Sequence, residues 1–185
     1  MRDLVQDLPN QLKHALEVSK EMRITESEND IYNIVICGLG GSGIGGALAQ
    51  SITHDEIKLP IITVNTYDIP EFVGPNTLVI CSSFSGNTEE TVSAYHQAKD
   101  KGAKICCITS GGKIRFLADT NNDDLAILPN HISSPRANIG YSVVQLLHVL
   151  NAYNFISNSF IIEIENTLQL LEKLPSELIR IFFLQ

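Results

Sequence analysis

One stretch constrains the fold more than any other: Thr77-Leu78-Val79-Ile80-Cys81, then Ser82-Ser83-Phe84-Ser85-Gly86-Asn87, then Thr88-Glu89-Glu90-Thr91. An apolar, strand-like run feeds through hydroxyl residues and a glycine into a helix-forming segment. A strand that turns straight into a helix presents the free N–H groups and the positive end of the helix dipole at the turn. Ser83, Ser85 and Thr88 add hydroxyl donors, and Gly86 is expected to let the backbone approach a ligand. An ordinary helix cap needs a single hydroxyl. The clustering of several indicates a receptor for an anion, most simply a phosphate ester.

A second turn of this kind comes earlier. Asn33-Ile34-Val35-Ile36-Cys37 reads as a central parallel strand. It runs into Gly38-Leu39-Gly40-Gly41-Ser42-Gly43-Ile44-Gly45-Gly46, with a helix expected over Ala47–Ile52. Further strands are predicted at 60–65, 77–82, 104–109 and 125–128, with a helix over 88–101 closed by Gly102. Strands alternating with helices predict a doubly wound α/β fold on a mainly parallel five-stranded sheet. Ligands of such sheets sit at the carboxyl ends of the strands, where both loops fall. Before this body, Leu4, Leu8, Leu12 and Leu16 with Val5 and Ala15 form the stripe of an amphipathic helical arm, packed on the domain or on a neighbour. Thr25–Asp30 reads as a linker. After Pro135, long helices are expected over 136–154 and 160–174, followed by the apolar run Ile179–Leu184. The division expected is an arm and linker at 1–30, the main domain at 31–155, and at 156–185 a helix with a connection toward a further domain.

The glycine loop satisfies G-x-G-x-x-G through Gly38, Gly40 and Gly43, in a dinucleotide-site context. Such a site also wants an acid at the end of the second strand. Here that strand ends in Asn65-Thr66-Tyr67, with Asp68 too late, and the hydroxyl loop would be left without a role. The net charge of −8 argues against a nucleic-acid surface. Phosphate affinity must therefore come from amides, hydroxyls and a few placed cations. No run reaches the ~18 apolar residues of a membrane span, and no secretory signal is visible. Cys37, Cys81, Cys106 and Cys107 fall in predicted strands without metal or redox spacing, so they read as reduced core residues of a cytoplasmic protein with no metal site.

Three segments in order and spacing, 38–46, 83–91 and Ser134-Pro135-Arg136-Ala137 with Gly140-Tyr141, resemble a sugar isomerase (SIS) domain. Within that superfamily the chain closely resembles the amino-terminal half of the bifunctional phosphoglucose/phosphomannose isomerases. The resemblance implies a flavodoxin-like sheet and a substrate that is a sugar 6-phosphate, with no cofactor. It implies that Ser83, Ser85 and Thr88 hold the phosphate, that Gly41 and Ser42 contact the sugar, and that Arg136 steadies the charge of an enediolate as the catalytic residue. In the family, the glutamate base, a ring-opening histidine and a lysine come from a second SIS domain. The expectation is therefore a domain that binds glucose, mannose or fructose 6-phosphate, is catalytically incomplete alone, and forms a homo-oligomer or pairs with a second SIS domain. The alternative is a non-catalytic SIS module that senses a phosphosugar or assembles with a partner. Glu89 and Glu90 are expected to serve the helix dipole in solvent rather than act as bases. His148 reads as a core or interface residue, and His14, His54, His96 and His131 have no partner evident in the sequence.

Overall fold

The computed structural model describes residues 7–130 and 139–173. The elements in chain order are α1 (Leu8–Val18), a short 3-10 turn (Ser19–Glu21), β1 (Asn33–Cys37), α2 (Gly41–Ile52), β2 (Ile61–Val64), β3 (Thr77–Ser82), α3 (Glu89–Asp100), β4 (Lys104–Thr109), α4 (Gly112–Asn121), β5 (Asp124–Ile127), α5 (Ile139–Ala152) and α6 (Ser159–Lys173). The five strands form one sheet in the order β2-β1-β3-β4-β5, and each neighbouring pair is parallel. The expected doubly wound α/β architecture is therefore what this sequence adopts.

The strands are apolar on both sides because both faces of the sheet are covered, as a parallel sheet requires. Alternation along each strand sorts the side chains. Ile34, Ile36, Leu78, Ile80, Cys106 and Ile108 face one layer, with buried residues from α1, α2, α5 and α6. Val35, Cys37, Val79, Cys81, Ile105 and Cys107 face the other, against Ala94, Tyr95 and Ala98 of α3 and Ile114 and Ala118 of α4. The four cysteines are free and buried. Burial pushes the Cys37 thiol up to about 12, which makes it a poor nucleophile at neutral pH. Among the described residues no helix is long and apolar enough to cross a membrane.

Two sequence expectations are corrected. The helix expected from Ala47 starts at Gly41, so most of the glycine segment is already helical. Two of these glycines serve packing: a Cβ on Gly45 would lie 2.8 Å from Ser142 Cβ, and one on Gly46 would lie 3.0 Å from Ile36 Cγ2. Tertiary contact with α5 and β1 thus selects a helix that propensity disfavours. The second correction is α4, which the sequence pattern did not single out.

The amino-terminal segment is joined to the body by specific polar contacts. Gln11 and Ala15 are the buried residues of α1, with Leu12 and Leu16 at the margins of the core. Gln145 Nε2 donates to the Ala15 carbonyl at 3.1 Å. His14, for which the sequence suggested no partner, has Nδ1 2.8 Å from Tyr141 Oη. Arg23 forms an antiparallel bridge to Leu125 on the outer edge of β5. Thr25 donates from both its backbone N–H (3.0 Å) and its hydroxyl (2.7 Å) to the buried Asp124 carboxylate. Lys104 pairs with that carboxylate at 3.0 Å, and the Tyr153 hydroxyl donates to it as well.

Candidate functional site

β1 and β3 lie side by side, with Cys37 opposite Cys81. The chain leaves them toward opposite faces: α2 joins the layer of α5, and α3 joins the layer of α4. That is the point in an open α/β sheet where a crevice forms beyond the strand ends. Two helix N-termini, those of α2 and α3, face it from adjacent strands. The two turns touch through their backbones. A Cβ on Gly38 would stand 3.0 Å from the Ser82 carbonyl oxygen and 3.1 Å from Ser42 Cβ. The turn into α2 is completed by Gly40, with φ +59°, a conformation that disfavours other residues.

Neither helix start carries a side-chain cap. For α3 this is informative, because Thr88 occupies the cap position and yet does not cap. Its Oγ1 instead lies 2.8 Å from Ser83 Oγ, and Ser83 Oγ accepts the Gly86 N–H at 3.1 Å. Ser83 is buried and Ser85 exposed, with Ser85 Oγ accepting the Asn87 N–H at 3.2 Å. The hydroxyls therefore hold the loop while the first-turn amides of α3 keep no side-chain partner, the arrangement an anion would use. Among the expected sugar contacts, Gly41 opens α2 and Ser42 is buried in its first turn. Arg136 lies outside the described residues, as do Ser134, Pro135, Ala137 and His131.

Gly86 has φ +67°, and a Cβ there would fall 1.8 Å from the Gly111 carbonyl oxygen, so packing against Gly111 by itself requires glycine. Ser110-Gly111-Gly112, unassigned in the sequence reading, thus packs directly against the serine loop. Its signal was present as another small-residue turn after a strand. Glu89, at the α3 start, is exposed and accepts from the Tyr67 hydroxyl at 3.2 Å. That bond, followed by the charge of Glu90, raises the Tyr67 phenol, which stays protonated. His148 is half-buried on α5, edge-on to Phe160 with ring centroids 4.9 Å apart. Burial lowers its pKa.

The SIS domain family model matches residues 29–133. This chain belongs to the SIS domain family. It is 46% identical over 147 residues to a bifunctional phosphoglucose/phosphomannose isomerase of Caldicellulosiruptor bescii, a match covering 80% of this chain and 43% of that protein. The chain thus spans less than half the length of that relative. The SIS fold is also shared with the C-terminal domain of glucosamine-fructose-6-phosphate aminotransferase from Francisella tularensis (TM-score 0.66, 15% identity, 91% of this chain and 52% of that one). The NanR protein of Vibrio vulnificus, solved with ManNAc-6P, has it too (TM-score 0.57, 18% identity, 90% of this chain and 69% of that one).

Proposed function

We propose that this SIS domain binds the phosphate of a sugar 6-phosphate at the α3 N-terminus. In this reading it acts as the substrate-binding part of an isomerase that interconverts glucose 6-phosphate or mannose 6-phosphate with fructose 6-phosphate in the cytoplasm. The observation that carries the reading is the uncapped start of α3, ringed by Ser83, Ser85 and Thr88 at the switch point of the sheet. Similarity to the phosphoglucose/phosphomannose isomerases supplies the substrate class.

The chemistry assigns distinct parts. First-turn amides and hydroxyls take the phosphate, with the helix dipole behind them. Gly41 and Ser42 meet the sugar from α2. Isomerisation moves a proton between carbons 1 and 2 through an enediolate, and Arg136 offsets its negative charge, an electrostatic contribution to the barrier. The base is assigned to a second, different SIS domain, reached by pairing with another chain. That pairing is supported by the exposed Ile44, Leu48 and Ile52 on one side of α2. Beside them lies a groove lined by Leu12, Val143, Leu147, Phe160 and Ile164.

Calorimetric titration with fructose 6-phosphate, glucose 6-phosphate, mannose 6-phosphate and NAD tests the reading. Binding of the phosphosugars without NAD is expected, and NAD binding alone would overturn it. The second reading, a module that senses a phosphosugar without turning it over, draws on the shared fold of NanR. A coupled isomerase assay on a full assembly with a second SIS domain separates the two.

A further inference from the structure

We propose that the β4–α4 loop is a positioning element for the anion site, acting through Asn87. This inference rests on the reading that the serine loop takes a phosphate. Two helices, α3 and α4, begin close together, and their starts are treated differently. The first-turn amides of α4 are satisfied by the serine loop. Lys113 N–H donates to Asn87 Oδ1 at 3.1 Å, and Ile114 N–H donates to the Gly86 carbonyl at 2.9 Å. The first turn of α3 has no side-chain cap. The loop that forms the anion cradle is thus itself the cap of α4.

Asn87 connects the two. While its Oδ1 caps α4, its Nδ2 donates to the Ser85 carbonyl at 3.1 Å. Ser110 clamps the other flank, its N–H (3.0 Å) and hydroxyl (2.6 Å) both donating to the Phe84 carbonyl. Ser85 is exposed and would otherwise be free to rotate out of register with the α3 amides. Gly112 is where this fit is tightest. It has φ +67°, and a Cβ there would lie 2.3 Å from the Ser85 carbonyl oxygen and 2.9 Å from both Asn87 side-chain polar atoms. An alanine at 112 must push Ser85 and Asn87 aside.

The fold supplies its own control. Gly102 has nearly the same strained angle, φ +71°, but its Cβ would meet only Pro75 Cγ at 3.8 Å, at the far end of α3. Affinity for fructose 6-phosphate and for inorganic phosphate would be measured by calorimetry, and stability by urea unfolding. Gly112→Ala and Asn87→Ala are expected to weaken both ligands by at least about tenfold, the scale of a lost charge-assisted contact. Gly102→Ala should lose stability through its strained angle yet keep wild-type affinity. Equal affinity in Asn87→Ala and wild type would overturn the inference even if Gly112→Ala fails to fold. An equal affinity loss in Gly102→Ala would likewise reduce the effect to general destabilisation. Wild-type protein that binds neither ligand would overturn the phosphate reading itself and this inference with it.

Discussion

Ser83 Oγ and Thr88 Oγ1 lie 2.8 Å apart across the turn from β3 to α3. One proton fills that gap, so the other hydroxyl proton of the pair remains to be offered elsewhere. Ser83 already accepts the Gly86 N–H and is buried. With Ser83 as the donor to Thr88, the Thr88 hydroxyl proton is left for the phosphate that the proposed function places here.

Two kinds of serine-loop variant should therefore separate. Ser85→Ala and Thr88→Ala are expected to cost about 1–3 kcal/mol of phosphosugar binding, the worth of a hydrogen bond to a charged group. Ser85→Ala should leave stability within about 0.5 kcal/mol, as befits an exposed side chain. Ser83→Ala should lower both binding and stability, because it removes the buried hydroxyl that holds Thr88 Oγ1 and shares the Gly86 N–H with the Ser83 carbonyl. Unchanged calorimetric affinity in both Ser85→Ala and Thr88→Ala would remove the phosphate assignment.

Asp124→Ala is expected to destabilise the domain by about 3–5 kcal/mol in urea unfolding, the scale of a broken buried pair. Its carboxylate is fully buried and receives Thr25, Lys104 and Tyr153. Removing it takes an acceptor from the Lys104 ammonium, which keeps Thr25 Oγ1 at 2.6 Å, leaves the Tyr153 phenol without this acceptor, and loosens the segment before β1. A loss below about 1 kcal/mol would mean that water replaces the carboxylate without penalty.

The parallel sheet was legible because its strands are apolar on both faces, a pattern Asn33–Cys37 and Thr77–Ser82 show directly. The site turns were legible because hydroxyls and glycines concentrate there. What escaped depends on contacts between distant segments. Gly41–Gly46 becomes helix because Gly45 and Gly46 let α2 close on Ser142 and Ile36, which local propensity argues against. The packing of Gly86 against Gly111 escaped because Gly111 is 25 residues along the chain. Thr25–Asp30 looked like a free linker because Asp124, which fastens its first residue, is remote in sequence. Gly112–Asn121 has no strong apolar period, burying chiefly Ile114 and Ala118.

Stability should fall between pH 7 and pH 5 through His148. Burial holds its folded-state pKa below the ordinary 6.5, so in this window the unfolded chain binds the proton more readily. The contribution is fully present above about 6.5 and is lost as pH falls through that value toward the folded pKa. Glu56, Glu71 and Glu172 are lowered from 4.5 and titrate below the window. Urea midpoints at pH 7.5 and 5.5 should differ less in His148→Leu than in wild type. Parallel pH profiles for the two would exclude His148 as the source.

Self-association is expected from the α2 surface. Ile44, Leu48 and Ile52 are about half exposed, and α2 carries no charged residue, so two acidic copies can meet there without burying like charges. Light scattering at high micromolar concentration should show a dimer, and Leu48→Glu should shift it to monomer. A monomer in wild type, or a dimer untouched by Leu48→Glu, would count against this surface.

The last prediction is that a polypeptide of residues 1–185 binds fructose 6-phosphate without isomerising it at an ordinary rate. Enediolate formation needs a base within hydrogen-bond reach of carbons 1 and 2, its proton affinity tuned by burial. Among the described residues the fully buried carboxylate is Asp124, and it begins β5, at the sheet edge away from the site. Glu89 and Glu90 are nearer, in the first turn of α3. Glu89 stands in solvent with Tyr67 as its partner, where it favours the helix dipole rather than proton abstraction. In the proposed reading the cradle and Arg136 bind substrate and offset charge, but the absence of a general base typically removes a factor of about 10²–10⁴. In a coupled assay, turnover far below roughly 10 s⁻¹ is expected from this polypeptide alone. The rate should rise when a separately expressed second SIS domain is added. Turnover near that value without the addition would show that the base is in this chain, and Glu90→Gln is then the variant that decides whether it is Glu90.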